Sequence, residues 1–461
     1  MYVLDKDINE PLYIQLYNAI KKEITHHLKA GAKLPSVRKI ALEYKISKNT
    51  VELAYKQLYA EGYIESIPKS GYFVADTLLE SHHDSTIMQK AHDETKSTLR
   101  YDFFPARLTH DAFPLKLWKR LFIKAMEAQL DFGAYGDRQG EQGLRDEIAK
   151  YLIKSRGVVC DASQIVVCGG FTDSMNLIAT LFVKELHEIA IEYPGYPVAG
   201  KIFGDYGYAL LPIDVNHNGL EIDKLEATDA KLVYITPSHQ YPTGVTMPIA
   251  NRIKLLNWAK RTGGMIIEDD YDSELRYQNR PIPSLQGLDN DDRVIYIGTF
   301  SKSLAPALRV SYLVLPHRSI ERYKTICQTH HLRCCVSLST QKTLELFMKE
   351  GHWERHLRKI RTLNRKKHDL MKETLKTVFK DMIEIISEGG GLAIIIRPTI
   401  DIDLQKLRAN ALKEGVKIYL GSDDYGEAWE ALRMGFGGLQ EREIVDAIKL
   451  LKKIWLKTLD E

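Results

Sequence analysis

The residues best placed to do chemistry lie in GTFSKSLAPALR, residues 298–309, a turn between two apolar, β-branched runs at 294–297 and 310–315. A lysine carried between buried strands gives up its proton readily, because desolvation disfavours the ammonium, and the neutral amine attacks aldehydes. Thr299 on one side and Arg309 on the other are spaced to reach one phosphate, the arginine as a planar fork. An amine nucleophile beside a phosphate clamp points to pyridoxal 5'-phosphate (PLP), held as a Schiff base on Lys302. The same spacing also suits a surface turn with a solvated lysine. The other loops have to decide.

Those loops hang on a regular framework. From residue 163 onward, strand patterns at 165–168, 189–192, 232–236, 265–269, 294–297 and 310–315 alternate with helical stretches such as 173–186 and 251–262. That order predicts an α/β domain with a mostly parallel sheet, whose ligands sit beyond the carboxyl ends of the strands. After the first strand, Gly169-Gly170-Phe171-Thr172 opens a helix whose amides suit a phosphate. After the second, Tyr193-Pro194-Gly195-Tyr196-Pro197 presents Tyr196 to stack on a ring. A later strand ends in Glu268-Asp269-Asp270-Tyr271, followed by Asp272. Asp269 is expected to be the one acid facing the crevice, where it would keep a pyridine nitrogen protonated; this reading is preferred to a metal site.

The first 76 residues follow another plan. A helix over 13–27 with Ile14, Tyr17, Ile20 and Ile24 on one face is followed by a second, capped by Ser36, and a third opening at Ser47-Lys48-Asn49-Thr50. Two short strands then flank a Pro-Lys-Ser-Gly turn. This is the order of a winged helix-turn-helix, with Ser47, Lys48, Asn49 and Thr50 entering the major groove and Arg38, Lys69 and Ser70 on phosphates. Capping and dimerisation are the plainer uses of the same segment. Residues 77–99, without Gly, Pro or aromatics, read as a flexible tether, and its His82, His83 and His92 as solvated side chains.

Residues 12–74 resemble the GntR-type winged helix in LPSVRKIA, SKNTVELAYKQLYAEGYIE and SGYFV, with Lys48 where the commonest form has arginine. Residues 100–461 resemble a fold type I PLP enzyme of the aminotransferase class, with a smaller C-terminal lobe. That likeness implies Lys302 as the Schiff-base lysine, Asp269 on the pyridine nitrogen and Tyr271 on the ring hydroxyl. It implies Gly170, Phe171, Thr172, Thr299 and Arg309 around the phosphate, and Arg433, in ALRMGF, on a substrate carboxylate. Together the two parts resemble the MocR/GabR transcription regulators, as do YGDRQGEQGLRDEIAKYL, TPSHQYPTG, EDDYDSELRY and GHWERHLRKIRTLNRKK. Tyr241 replaces the asparagine of free aminotransferases, which favours sensing over turnover. Val198 stands where GABA-responsive members carry arginine.

The resemblance implies a homodimer, with the loop around Tyr135 reaching the neighbouring site, that binds double-stranded DNA and senses an amine, an amino acid or PLP itself. A PLP-dependent aminotransferase with an accessory DNA-binding segment is the alternative, and the regulator reading leaves room for partial transamination chemistry in its aminotransferase-like domain. Composition agrees. The 461 residues exceed one ordinary core, and 44% apolar with 27% charged content describes a soluble protein. A net charge of +3 confines any DNA-binding basicity to a local surface. No apolar run has membrane length, and the five cysteines lack a disulfide pattern, so a cytoplasmic location is expected. Cys327, His330, His331, Cys334 and Cys335 fall at helical spacings and read as one small-residue helix face rather than a metal site. The basic run 355–367 reads as the solvated face of an amphipathic helix.

Overall fold

The computed structural model describes residues 4–5, 10–68, 70–75, 99–128, 130–277, 282–330, 332–421 and 429–460. Its contacts divide the chain into two compact units, Met1–Thr95 and Lys96–Glu461. Lys69 and the expected tether other than Leu99, with its three histidines, lie outside the described residues.

In the first unit, α1 (Leu12–His26), α2 (Val37–Glu43) and α3 (Lys48–Ala60) precede an antiparallel pair, β1 (Ile64–Ile67) and β2 (Gly71–Val74). Leu16, Tyr17, Ile20 and Ile24 of α1 pack with Ile40 of α2 and with Val51, Ala54, Tyr55 and Leu58 of α3. The 3-4 spacing puts each set on one helix face. Leu16 takes the place expected of Ile14, which is only half-buried. Serine side chains start both later helices: Ser36 accepts from the Lys39 amide and Ser47 from the Thr50 amide.

The second unit is built on an eight-stranded sheet. After β3 (Tyr101–Asp102) come β4 (Ile165–Cys168), β5 (Glu188–Tyr193), β6 (Ala209–Asn216), β7 (Gly219–Leu220), β8 (Leu232–Ile235), β9 (Met265–Asp270), β10 (Val294–Thr299) and β11 (Ser311–Val314). Their order is β4-β11-β10-β9-β8-β5-β6-β7. The run from β10 to β6 is parallel, whereas β11 opposes both its neighbours. β6 was not legible as a strand because only one of its eight residues is buried and Pro212 interrupts it, as suits a strand near a sheet edge. A smaller antiparallel sheet holds β12 (Ile383–Ser387), β13 (Ala393–Pro398), β15 (Tyr419–Leu420) and β16 (Leu432–Gly435), while β14 (Val416–Lys417) pairs with β3.

Helices cover both faces of the large sheet. Leu255, Trp258 and Ala259 of the helix Ile249–Thr262 pack on one face. Met175, Ile178 and Phe182 of Phe171–Phe182 pack on the other, with Phe203 of Pro197–Asp205. The expected helical face of cysteines and histidines is broken. The helix His317–Thr329 ends before His330, so Cys334 and Cys335 leave it. Cys327 is core, Cys334 sulfur accepts from Gln341, and the Cys335 thiol donates to Asp173 at 3.2 Å. His331 lies outside the described residues. The basic run sits on the helix His352–Phe379, and it is not simply solvated. Arg361 and Arg365 donate to the Glu274 and Tyr277 carbonyls at 2.6 and 2.7 Å, bracing the chain that leaves β9.

Candidate functional site

Two adjoining cavities open beyond the carboxyl ends of β8, β9 and β10. They share Ala106, Tyr196, Tyr241, Tyr271 and Lys302. The inner one, about 230 Å³, is also lined by Phe171, Thr236, Asp269, Thr299 and Arg309. Lys302 stands where β10 turns back toward β11, its Nζ 6.0 Å from the centre of the Tyr271 ring. Burial holds its ammonium below the usual lysine range, outweighing the attraction of Asp272 and Asp269.

At the far side of the turn Arg309 adopts φ +51°, a conformation costly for a side-chain-bearing residue. It holds the guanidinium against Gly170, which has φ +99° at the start of the helix Phe171–Phe182. A Cβ on Gly170 would lie 2.4 Å from Arg309 Nη2. The backbone conformation calls for glycine, and the missing side chain leaves room for the guanidinium as it stands. Thr299 Oγ1 accepts from the Ser301 amide at 3.1 Å and lines the same pocket. Thr172 is exposed and lines neither cavity. Tyr196 is gripped edge-on by Phe171 and Tyr241, with ring centres 5.1 and 5.2 Å away.

Strand geometry sorts the acids of β9. Side chains alternate faces along a strand, so Glu268 and Asp270 point away from Asp269. Glu268 accepts from the Leu285 and Gln286 amides, both at 2.8 Å. Asp270 would be raised by burial, but Arg156, bonded to it at 2.6 Å, holds it below the usual carboxylate range, and Tyr296 also donates to it. Asp269 faces the inner cavity. Its Oδ2 accepts from Tyr234 Oη at 2.6 Å, and burial pushes its pKa up to about 7. The expectation that Asp269 alone faces the crevice needs correction. Asp272, beyond the strand end and free of its alternation, lines the outer cavity.

The outer cavity, about 320 Å³, adds His239, Asp272 and Arg433, with Val198 and Tyr419. Arg433 projects from β16, where it donates to Tyr241 Oη and, at 3.2 Å, to the Leu420 carbonyl. His239 Nδ1 donates to Asp272 at 2.7 Å, and Tyr271 Oη lies 3.2 Å from the same nitrogen. Sequence reasoning singled out neither His239 nor Tyr234. His239 sits inside TPSHQYPTG with no spacing to mark it, and Tyr234 is one residue among several in a buried strand. Tyr135 is exposed, with the Arg333 guanidinium 4.3 Å from its ring centre.

In the first unit Arg38, Ser47, Lys48, Asn49 and Ser70 are all exposed. Thr50 is half-buried, and its hydroxyl is 2.8 Å from that of Ser47. The two hydroxyls and the Thr50 amide thus form a self-contained cap at the start of α3. Lys48 and Asn49 project beyond it into solvent.

The family described as aminotransferase class I and II matches residues 107–450, and the gntR family of bacterial regulatory proteins matches residues 12–74. The sequence is 38% identical over 465 residues, 98% of each chain, to the uncharacterized HTH-type transcriptional regulator YdeL of Bacillus subtilis (strain 168). It is 32% identical over 476 residues to the probable rhizopine catabolism regulatory protein MocR of Rhizobium meliloti, covering 99% of this chain and 96% of that one. A kynurenine aminotransferase structure from Pyrococcus horikoshii, 26% identical, superposes with a TM-score of 0.70 over 83% of this chain and 98% of that one.

Proposed function

Because the chain belongs to the aminotransferase class I and II family and carries a gntR-family segment ahead of that match, we propose that it is a DNA-binding transcription regulator whose second unit senses a small molecule with PLP. Its full-length likeness to HTH-type regulators, rather than to a free enzyme, favours this reading over an aminotransferase with an accessory arm. The observation that carries the sensing half is the inner cavity: a deprotonation-prone lysine, a buried carboxylate and an arginine seated against a glycine, all on one wall-to-wall surface.

Those three groups fit the three ends of PLP. Lys302 Nζ would take the aldehyde carbon. Arg309, Thr299 and the Phe171 amide would take the phosphate, with Gly170, whose own amide donates to Ser311 Oγ at 3.1 Å, beside them. Asp269 would hold a proton at the ring nitrogen, where the positive charge would return its carboxyl to the ionised form. Tyr196 would cover one ring face and Tyr271 would approach the ring hydroxyl. When bound, PLP supplies an electrophilic carbon and a ring that disperses negative charge. Arg433 would orient an effector carboxylate from the outer cavity.

An amine, an amino acid or PLP itself acts as the effector by binding one state of the protein better than another, which is what any ligand-driven switch requires. The chain works as a homodimer, so that two N-terminal units read a repeated or palindromic site, with Lys48 and Asn49 toward bases and Arg38 and Ser70 toward phosphates. Fluorescence anisotropy of the purified protein on DNA from upstream of its own gene, against a scrambled duplex at equal salt, tests this. Preference for the native fragment by roughly 10³ or more is expected. Equal, weak binding to both duplexes, together with multiple turnover of an amino acid and a keto acid, would return the chain to the enzymes.

A further inference from the structure

The outer cavity holds a charge that a simple amino acid leaves unanswered. Its ionic lining among the described residues is Lys302, Arg433 and Asp272, with His239 beside them. Under the functional reading above, on which this step rests, Lys302 serves the aldehyde and a carboxylate answers Arg433. That leaves Asp272. Its side chain is only 5% exposed, and a carboxylate so placed is costly without a countercharge.

The surroundings hold Asp272 in one position. Its Oδ2 accepts from His239 Nδ1 at 2.7 Å. The His239 ring is stacked on Tyr271, with centres 6.0 Å apart and planes 25° from parallel. Behind the carboxylate, Gly391 has φ +72°, and a Cβ there would come within 2.7 Å of Asp272 Oδ2. The loop between β12 and β13 therefore packs directly against this carboxylate. His239 Nε2 has no hydrogen-bond partner among the described residues, so one hydrogen bond through Nδ1 is the fixed link of the pair. Val198 lines the same cavity and offers no cation for a second carboxylate.

We propose that the outer cavity selects an α-amino acid bearing a second cationic nitrogen on its side chain, with its carboxylate on Arg433 and the side-chain cation on Asp272. His239 acts as a positioning residue that sets the direction of the Asp272 carboxylate. The selection works by charge. A dicarboxylic amino acid would set a second anion against Asp272, and an aliphatic one would leave that carboxylate with only its existing partners, His239 and Arg276.

The test is titration calorimetry on full-length, PLP-loaded protein with three matched pairs: L-2,4-diaminobutyrate and L-2-aminobutyrate, L-ornithine and L-norvaline, L-lysine and L-norleucine. At least one diamino acid should bind about tenfold or more tightly than its uncharged counterpart, the worth of a hydrogen bond to a charged group. In Asp272→Asn that ratio should fall to near unity. If this variant does not load PLP, His239→Gln takes its place and should reduce the ratio at least several-fold. Pairs that bind alike or not at all, or a ratio that survives the variant, would overturn the selectivity and leave the regulator intact. Wild-type protein that takes up no PLP, judged by its visible absorbance, would instead bring down the functional reading beneath it.

Discussion

The α3 face and the crevice both rely on charged side chains, yet they hold them in opposite environments. Arg38 of α2 and Lys48 of α3, with the neutral Asn49 beside it, stand in water, placed by serine caps and by a core of twelve residues. Asp269 and Asp270 are placed by β9 and stripped of water, and Lys302, in the turn beyond β10, is half-buried where it lines the cavities. Exposed charges act over distance and are screened by salt. Desolvated ones act at contact, with shifted proton affinities that salt scarcely touches. Under the proposed function, the first region would meet a polyanion and the second would hold one molecule in one orientation.

The sharpest way to break this contrast is to remove the amine. Lys302→Ala should abolish the Schiff-base absorbance band that PLP gives the wild-type protein while leaving affinity for the upstream DNA, measured without effector, within experimental scatter. A variant that loses both would mean that the two units do not function separably. Asp269→Asn should come next in size. The amide cannot hold the ring-nitrogen proton as an ion pair, so PLP affinity should fall roughly 30- to 100-fold, again with DNA binding unaffected. An unchanged affinity would move the ring-nitrogen contact to another group.

How much of this was readable beforehand depended on whether a residue acts through spacing or through burial. Helix periodicity and serine caps placed α1 to α3 to within a residue or two, because the 3-4 spacing and the capping geometry are local. The turn at Lys302 and the glycines before Phe171 stood out for the same reason. Tyr234 and His239 did not. Each matters through a partner 35 or 33 residues away in sequence, Asp269 and Asp272 respectively. The assignment of one acid to the crevice failed at Asp272 for a related reason. Strand alternation sorts Glu268, Asp269 and Asp270, but it stops at Asp270, where β9 ends.

The exposed face gives smaller, salt-dependent effects. Arg38→Ala should weaken DNA binding roughly three- to tenfold on every sequence alike and reduce the slope of log K against log salt by about 1. PLP uptake should not respond to that substitution or to the salt. A loss confined to one operator sequence would place Arg38 on a base edge, and the contrast between positioning and reading within this unit would have to be redrawn.

The smallest expected effect separates the two environments by pH. Glu192, next to last in β5, accepts at 3.0 and 2.6 Å from the amide and hydroxyl of Thr236, which lines the inner cavity, and burial pushes its pKa up to about 7. An unfolded glutamate titrates near the usual 4.5. Between those values the folded protein keeps a proton that the unfolded chain has released, so this group's contribution to stability falls as pH rises through the window and levels off above it. Glu192→Gln carries a permanent equivalent of the protonated form. Relative to wild type, its Tm should therefore improve by a few degrees on going from pH 5 to pH 8. Exposed Glu61 in the first unit shifts the other way, because Tyr17 and Gln57 donate to its carboxylate and hold it below the usual range. Its contribution is present above the unfolded value and lost as pH falls. Parallel pH profiles for wild type and Glu192→Gln would mean that Glu192 is ionised throughout, and the buried side of the comparison would then need a cation to balance it.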